Sequence, residues 1–307
     1  MAITFRPGRL DDTATAFGIF RDAVLELGSR LGVTTITGGD DPAVMASLWE
    51  TRRPLFDHLA RTGAHFWIAE SDGEAIGYAR STRHDGVLEL TELFVLPRAQ
   101  SAGVGRELLA RAFPRAGERH RLVIATPDVR ALTSYMKAGC YARFPIHHFA
   151  RPARADAPVS DLETEPIDDS PRALELLAQV DQSVLGFRRD PDHAWLASER
   201  RGVFYRRDGR LAGYGYTGPR SGGFADADRG PFAAFADEDL PAMLASAERS
   251  ARPGTAFGVD VPLVNRAVVD YALGQGFRMD PFATYLMSDA PMGRYDAYVS
   301  TTPSFFI

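Results

Sequence analysis

Residues 93–111 of the 307-residue chain read LFVLPRAQSAGVGRELLAR, and this stretch decides how the first half of the chain folds. Its apolar start predicts a buried strand, the proline ends that strand, and the segment RELLAR begins a helix. Gly103 and Gly105 carry no Cβ, so successive backbone N–H groups of the loop can point at one spot. The unpaired N–H groups of the helix N-terminus add partial positive charge. The stretch therefore predicts an anion cradle suited to a pyrophosphate, to which Arg106 adds a cationic side chain.

Two other nucleotide-binding loops are excluded by the spacing. A dinucleotide-binding fingerprint needs a third glycine where this chain has Leu108, and a Walker loop needs a Gly-Lys-Ser/Thr that does not follow here. On the two glycines alone, a Gly-rich turn without any ligand stays the alternative.

The chain also contains an internal repeat with a long period. An Asp-Gly pair between apolar runs at 66–78 predicts a β-hairpin, and the same pattern recurs at 204–214. Gly73 and Gly209, the turn glycines, are 136 positions apart. A helix followed by a glycine-led strand at 131–140 recurs at an offset of 137. Two matched elements at nearly one offset indicate a duplicated domain.

The first copy is predicted to place antiparallel strands before alternating strands and helices. Its predicted strands are 3–6, the two strands of a hairpin at 66–83, 87–96, 122–125 and 141–149, and its predicted helices are 12–27, 42–62, 103–113 and 129–138. This order is typical of an α/β (α+β mixed sheet) fold. We expect two tandem domains, each a mostly antiparallel sheet flanked by helices. A polar, proline-rich stretch predicts a linker at 151–158, between domains at 1–150 and 159–307, the second with an apolar tail that packs back.

Composition argues against several classes of protein. A formal net charge of −5, from 35 basic and 40 acidic residues, argues against a nucleic-acid-binding surface. Cys140 is the only cysteine, so neither a disulfide within the chain nor a cysteine-based zinc site is expected, and Cys140 is expected to be a buried apolar residue. The histidines show no metal-ligand spacing, so no metal is expected. No signal peptide or membrane-length apolar run is evident, which predicts a cytoplasmic protein without membrane contact. The oligomeric state stays open, a dimer included.

The glycine loop resembles the acetyl-CoA-binding motif of the GNAT superfamily of N-acetyltransferases, an apolar strand and a proline followed by Gln/Arg-x-x-Gly-x-Gly/Ala. The matching positions are Gln100, Gly103 and Gly105. Residues 128–140, DVRALTSYMKAGC, resemble the family's next motif, Asn-x-x-Ala-x-x-x-Tyr followed by Gly-Phe. The matching positions there are Ala131, Tyr135 and Gly139, whereas Asp128 replaces Asn and Cys140 replaces Phe. The resemblance covers roughly residues 4–149.

This resemblance implies that the chain uses acetyl-CoA as a cosubstrate. In the family the diphosphate lies on the loop amides, and the pantetheine arm pairs with the backbone edge of the preceding strand. The residues that the resemblance places at this ligand are Phe94, Val95, Gln100, Ser101, Ala102, Gly103, Val104, Gly105, Arg106 and Asp128. The family's Asn supports the pantetheine arm, but a carboxylate at Asp128 accepts hydrogen bonds and donates none.

The implied reaction is direct attack of a neutral amine on the acetyl thioester. Tyr135 is the candidate acid, because the family's tyrosine reaches the cofactor sulfur; a packed core aromatic is the alternative. Glu89 and Glu92 are the candidate bases, and Glu89 lies nearer the register of the family's glutamate base. Their odd separation puts them on opposite faces of an ideal strand unless a bulge intervenes. Proton transfer through water is the other option.

The second half resembles the family less. Its second motif runs from Asn265 to Phe277, but Ala272 stands where the first copy has Tyr135. The glycine loop is replaced by a stretch containing the acidic residues 237–239, which would repel a pyrophosphate. We therefore expect a degenerate copy that shapes the acceptor cleft or mediates association.

The expected function is transfer of the acetyl group of acetyl-CoA to a primary amine, with the active site in the first domain. The acceptor is a small-molecule or protein amine that the sequence does not identify. The alternatives are a non-catalytic acyl-CoA-binding or regulatory module, which Asp128 favours, and transfer of a longer acyl group.

Overall fold

The computed structural model describes residues 2–33, 42–100, 102–220 and 229–302, which fall into two compact units. The first unit holds the described residues up to 124 together with 128–141, and the second holds 125–127 and those from 142 onward. Both units combine β-sheet with helices, which confirms the mixed α/β fold class.

The first unit is a sheet flanked by helices. Its elements are β1 (Ile3–Pro7), α1 (Thr13–Leu31), α2 (Pro42–Thr62), β2 (His65–Ser71), β3 (Glu74–His84), β4 (Val87–Val95), α3 (Val104–Ala112), β5 (His120–Ala125) and α4 (Val129–Lys137). Its strands lie in the order β1-β2-β3-β4-β5, antiparallel except for the parallel pair β4 and β5. These are the elements that the sequence predicts, with small shifts at their ends.

The two Asp-Gly hairpins of the repeat form as predicted. Asp72 and Gly73 have φ of 51° and 81°, and Asp208 and Gly209 have φ of 49° and 74°. Positive φ at both central residues characterises a type I′ turn, whose twist matches that of the flanking strands. The sequence repeat is therefore also a repeat of local structure.

A bulge in β4 changes which side chains share a face of the sheet. Arg80 of β3 lies opposite Glu92, and Thr82 lies opposite Glu89, with a register shift between the two pairs. Thr91 is the extra residue on β4. One extra residue compensates the odd spacing of the two glutamates. Glu89 and Glu92 therefore lie on the same face of the sheet. An ideal strand would place them on opposite faces.

Helices cover both faces of this sheet. A Cβ on Gly77 would stand 3.2 Å from Cδ1 of Leu108, so α3 packs closely on that face of β3. On the other face, the ring of Phe94 lies 5.2 Å from that of Phe20 in α1, measured between centroids. The carboxyl ends of β4 and β5 point toward the loops that lead into α3 and α4.

The second unit contains two groups of paired strands. Its elements are β6 (Tyr141–Pro152, in this unit from Ala142), β7 (Glu163–Pro166), α5 (Pro171–Val184), α6 (Asp190–Glu199), β8 (Arg200–Arg207), β9 (Arg210–Pro219), β10 (Phe232–Ala234), α7 (Leu240–Ser250), β11 (Ala256–Pro262), α8 (Arg266–Gly274), β12 (Arg278–Ser288) and β13 (Tyr298–Val299). One group has the order β13-β10-β9-β8-β7, and the other has β12-β6-β11. A buried apolar cluster that includes Phe149, Tyr205, Leu244, Phe257 and Val268 joins both groups to α7 and α8.

Strand β6 lies differently from the domain bounds that the sequence predicts. The predicted first domain ends at 150, yet β6 pairs antiparallel with β11 inside the second unit. The predicted linker, 151–158, packs there too, because Arg151 forms a 2.6 Å ion pair with Glu248 and lies over the ring of Phe277. Polar composition does not mark an exposed connection here, since the polar groups find partners within the unit.

Candidate functional site

The turn before α3 has the geometry that its glycines predict. Gly103 is the N-cap residue and has φ of 82° and ψ of −3°, a left-handed conformation that favours glycine. Because Gly103 has no side chain to cap the helix, the first N–H groups of α3 point into the loop without a capping oxygen from that residue. Among the other predicted loop residues, Ala102 and Arg106 are exposed, Gly105 is half-buried, Val104 is buried, and Ser101 lies outside the described residues.

Strand β4 has an end without a β5 partner beside this turn. Its parallel pairing with β5 begins at Val87–His120 and reaches Leu90–Val123, the last pair among the described residues. Residues 91–95 continue the strand beyond that pair. This end of β4 is thus paired with β3 on one side only, in the part of the chain that the structure describes.

Val95 and Phe94 face different sides of that strand. Leu96 donates its backbone N–H to the carbonyl of Ile76 in β3, so by alternation the backbone of Val95 faces away from β3. The carbonyl oxygen of Phe94 faces β3, since it lies 3.1 Å from the Cβ position of Gly77. Of the two strand residues predicted at the pantetheine arm, Val95 is the one that presents its carbonyl to the open side.

A chain of hydrogen bonds joins the end of β4 to the start of α4. Gln100 donates from Nε2 to the carbonyl of Val95 at 3.1 Å and accepts at Oε1 from Arg130 at 2.9 Å. Arg130 also donates to both carboxylate oxygens of Asp128, which accepts a further bond from Arg30 of α1. The structure therefore brings together three predicted ligand residues, Val95, Gln100 and Asp128.

The same bonds keep Asp128 charged. Partial burial alone would raise its pKa, but hydrogen bonds from the side chain and backbone of Arg130 and from Arg30 lower the pKa of Asp128 to about 2. Its Oδ1 accepts the backbone N–H of Arg130 and so caps α4. A carboxylate already engaged by two arginines stands where the family motif has Asn.

Tyr135 is buried on α4, with 6% of the residue exposed. Burial raises the pKa of its hydroxyl above the usual value of 10, and the negative charge of Asp128 raises it further. The phenol therefore keeps its proton at neutral and mildly alkaline pH. This is the protonation state that an acid needs.

The two candidate bases lie in different surroundings. Glu92 is 2% exposed and accepts hydrogen bonds from the hydroxyl of Tyr78 at 2.7 Å and from Nε of Arg80. Burial would lower the pKa of Arg80, but the charge of Glu92 raises it, so Arg80 stays charged. Arg80 also donates to the backbone carbonyl of Phe56 in α2. Glu92 is thus a structural partner of the core, whereas Glu89, 5% exposed, lies beside the last pairs of β4 with β5.

Sequence reasoning missed Arg130, Arg80 and Tyr78. Arg130 lies within the second motif, and a basic residue two positions after the motif acid is the signal that would have identified it. Arg80 and Tyr78 have no such signal, because their pairing with Glu92 depends on the bulge in β4.

Three further features concern metal ligands, the single cysteine and membrane-spanning helices. Among the described residues, no three His, Cys, Asp or Glu side chains cluster as metal ligands. Cys140 is buried as predicted, with Sγ 3.7 Å from the carbonyl oxygen of Arg121. In the described ranges no helix is both long and apolar enough to cross a membrane.

The second unit differs from the first at the equivalent positions. The chain passes from β10 through a 3-10 turn at Asp237–Asp239 into α7, so three carboxylates stand where the first unit has Gly103 and Gly105. Ala272 is buried at the place of the motif tyrosine, and burial raises the pKa of the adjacent Tyr271 to about 12.

Comparison with known proteins gives one family match by sequence. Residues 40–139 match the sequence model of the Acetyltransferase (GNAT) family. A search of curated proteins finds no match.

Several solved structures have a similar fold over nearly the whole chain. A putative acetyltransferase from Pyrococcus horikoshii has a TM-score of 0.70 at 15% identity, over 96% of this chain and 92% of that one. A GCN5-related N-acetyltransferase from Sphaerobacter thermophilus has a TM-score of 0.54 at 14% identity, over 95% and 97%. The glucosamine N-acetyltransferase region of a fungal multi-domain GH3 β-N-acetylglucosaminidase has a TM-score of 0.59 at 15% identity, over 94% of this chain and 38% of that one. At these identities the likeness shows the fold alone.

Proposed function

We propose that the first unit of this chain, in which residues 40–139 match the Acetyltransferase (GNAT) family model, transfers the acetyl group of acetyl-CoA to a primary amine. The proposal rests on two neighbouring features. The start of α3, with Gly103 as its N-cap residue, lies beside an end of β4 that has no β5 partner. The first offers N–H groups to a diphosphate, and the second offers a backbone edge to an extended amide-containing arm.

The residues present fit such a ligand. Gly103 leaves the loop face of α3 free of a capping side chain, and Arg106 adds an exposed guanidinium. The carbonyl of Val95 accepts from Gln100, which shows that an amide donor fits there. An amide of the pantetheine arm would take the place of that side-chain donor, and Gln100 would turn aside.

Tyr135 holds the proton that the reaction needs. Acetyl-CoA, when bound, supplies the acetyl thioester on which the neutral amine acts. The raised pKa of Tyr135 keeps its hydroxyl protonated, so it can donate to a leaving thiolate. Its burial excludes bulk water from that donor.

Glu89 is our choice between the two candidate bases. Glu92 accepts from both Tyr78 and Arg80, and using it as a base would break a buried ion pair. Glu89 lies on the same face of β4, near the point where β4 and β5 stop pairing. It would accept the amine proton directly or through water.

One observation favours a second candidate, a non-catalytic acyl-CoA-binding module. Asp128 is charged and engaged by two arginines, so it offers no donor to a pantetheine amide carbonyl. Arg130, which is bonded to both Asp128 and Gln100, provides donors in the same place. We therefore retain catalysis as the primary proposal.

The test is release of CoA thiol from acetyl-CoA with a panel of primary amines. The panel contains a polyamine, an amino sugar such as glucosamine and a peptide with a free N-terminus. Amine-dependent thiol release, with a mass increase of one acetyl group on the amine, supports acetyl transfer. Binding of acetyl-CoA without thiol release for any amine in the panel supports the binding module instead.

A further inference from the structure

The last described residues of the second unit form a strand between two others. After β12 the chain turns at Tyr295–Ala297, and β13 then pairs antiparallel with β10. The next residue, Ser300, forms an antiparallel bridge with Asp260 of β11 and donates its N–H to the Asp260 carbonyl at 2.9 Å. Residues Tyr298–Thr302, here called the tail strand, therefore lie between β10 and β11.

The internal repeat shows which part of the first unit corresponds to the gap between β10 and β11. β9 carries Gly213 at the position of Gly77 on β3, and β10 pairs with β9 at Gly213 as β4 pairs with β3 at Gly77. β11 precedes α8 as β5 precedes α4. The gap between β10 and β11 is thus the counterpart of the gap between β4 and β5. In the second unit, a segment of the chain itself occupies it.

The motif asparagine of the second copy holds the tail strand. Asn265 caps α8 by accepting the N–H of Val268 at Oδ1, and it donates from Nδ2 to the carbonyl of Tyr298 at 3.0 Å. Asn265 is fully buried. It corresponds to Asp128 of the first unit, the position beside the proposed ligand arm. An amide side chain there is bonded to an extended backbone.

The buried side chain of Arg200 and the absence of a side chain at Gly230 both hold the tail strand in place. Arg200, 5% exposed, donates to the hydroxyl of Thr301 and the carbonyl of Thr302, both at 2.8 Å. It also donates to the carbonyl of Gly230 at 2.6 Å. A Cβ on Gly230 would stand 2.5 Å from the carbonyl oxygen of Ser300, so the tail backbone approaches closer than any side chain at 230 allows.

We infer that the cleft between β10 and β11 is a binding site for an extended peptide, and that its occupant is this chain's own tail strand. Backbone groups of the tail bond to β10, β11, Asn265, Arg200 and the carbonyl of Arg229, and its residues 298–301 are almost completely buried. The acidic turn at Asp237–Asp239 stands where a diphosphate would need N–H groups. The second unit is therefore a strand-binding domain, closed by its own tail strand.

The test is hydrogen exchange measured by mass spectrometry on a chain that ends at Ala297. Loss of the tail is expected to raise exchange at least tenfold in Phe232–Ala234 and in the amides of Ala256–Pro262 that face it. A synthetic peptide of residues 298–307, YVSTTPSFFI, is expected to restore protection when added to the shortened chain, and a scrambled peptide is not. Unchanged protection in the shortened chain, or equal rescue by the scrambled peptide, would overturn the inference.

A full-length pair keeps the test decisive if the shortened chain does not fold. Ser300→Pro removes the N–H that bonds to Asp260, whereas Ser300→Ala keeps that N–H and loses only the hydroxyl. Exchange in β10 and β11 is expected to rise at least tenfold in the first variant and stay within twofold of wild type in the second. Equal exchange in the two variants would overturn the inference. A wild-type dimer in solution that dissociates on Ser300→Pro would assign the tail to a second copy and contradict its intrachain placement.

Discussion

Replacing Tyr135 with phenylalanine removes one hydroxyl from α4 and leaves the ring in place. If this hydroxyl protonates the leaving thiolate, its loss is expected to lower turnover by about 10²–10⁴-fold, the usual contribution of one acid–base group. At about 1.4 kcal/mol per tenfold change in rate, this equals about 2.8–5.6 kcal/mol of activation free energy. The loss of folding stability is bounded by one hydrogen bond, about 0.5–1.5 kcal/mol. The chemical effect therefore exceeds the structural one.

Three measurements on Tyr135→Phe separate the chemical effect from the structural effect. Initial rates of thiol release at saturating acetyl-CoA report the chemical step, calorimetry reports the affinity for acetyl-CoA, and denaturant titration reports stability. We expect turnover alone to change substantially, with the dissociation constant for acetyl-CoA within about threefold of wild type. The pKa of Tyr135 lies above 10, so its hydroxyl stays protonated at every pH up to 10. We therefore expect no decrease of the wild-type rate in that pH range from loss of this proton.

The repeat supplies a matched control. Tyr271→Phe makes the same change on α8 of the second unit, at a partly buried tyrosine next to the counterpart position of Tyr135. We expect it to leave turnover unchanged. Wild-type turnover in Tyr135→Phe would remove Tyr135 from the mechanism. Loss of acetyl-CoA binding together with turnover would show a structural role instead.

Gly103→Ala is expected to weaken acetyl-CoA binding at least tenfold, about 1.4 kcal/mol. Gly32→Ala is the control: Gly32 is the C-cap residue of α1 with φ of 69°, so alanine there has a similar cost in backbone strain, about 1–2 kcal/mol, but is expected to leave acetyl-CoA binding intact. Equal calorimetric affinities for the two variants would contradict the cradle. Glu92→Gln leaves Arg80 buried without its counter-charge and is expected to lower the free energy of unfolding by about 3–5 kcal/mol in denaturant titration; an unchanged midpoint would argue against the buried pair. Asp128 has a folded-state pKa of about 2, below its usual 3.8, so its stabilisation is present above pH 3.8 and is lost as the pH falls through 2. The Tm difference between wild type and Asp128→Asn, which keeps a helix cap, is therefore expected to shrink over that interval, and a constant difference would count against the arginine pairs.

Features set by neighbouring residues could be predicted from the sequence. The Asp-Gly hairpins form because a tight primed turn needs positive φ at two adjacent residues, which Asp72 and Gly73 supply. The turn into α3 follows from Gly103 in the same way. Both signals lie within a few residues, and tertiary packing does not override them.

Features set by distant pairing could not be predicted. The extra residue at Thr91 leaves no mark in composition, yet it decides that Glu92 faces Arg80 and joins the core. The strand at 141–149 was visible, but its choice of β11 as a partner depends on residues more than a hundred positions away. For the same reason the sequence does not predict that residues 298–302 lie between β10 and β11. The apolar end of the predicted tail, residues 303–307, lies outside the described residues.

Calorimetric titration of the purified chain with acetyl-CoA counts its binding sites and so tests whether the first unit alone binds acetyl-CoA. We expect one site per chain, because the first unit has the Gly103 turn beside the end of β4 that lacks a β5 partner, and the second unit has its gap filled by the tail strand. Binding is expected to disappear when Gly103 and Gly105 are both replaced by valine. No binding at millimolar acetyl-CoA would contradict an acetyltransferase function for the first unit, and two sites per chain would contradict the assignment of the second.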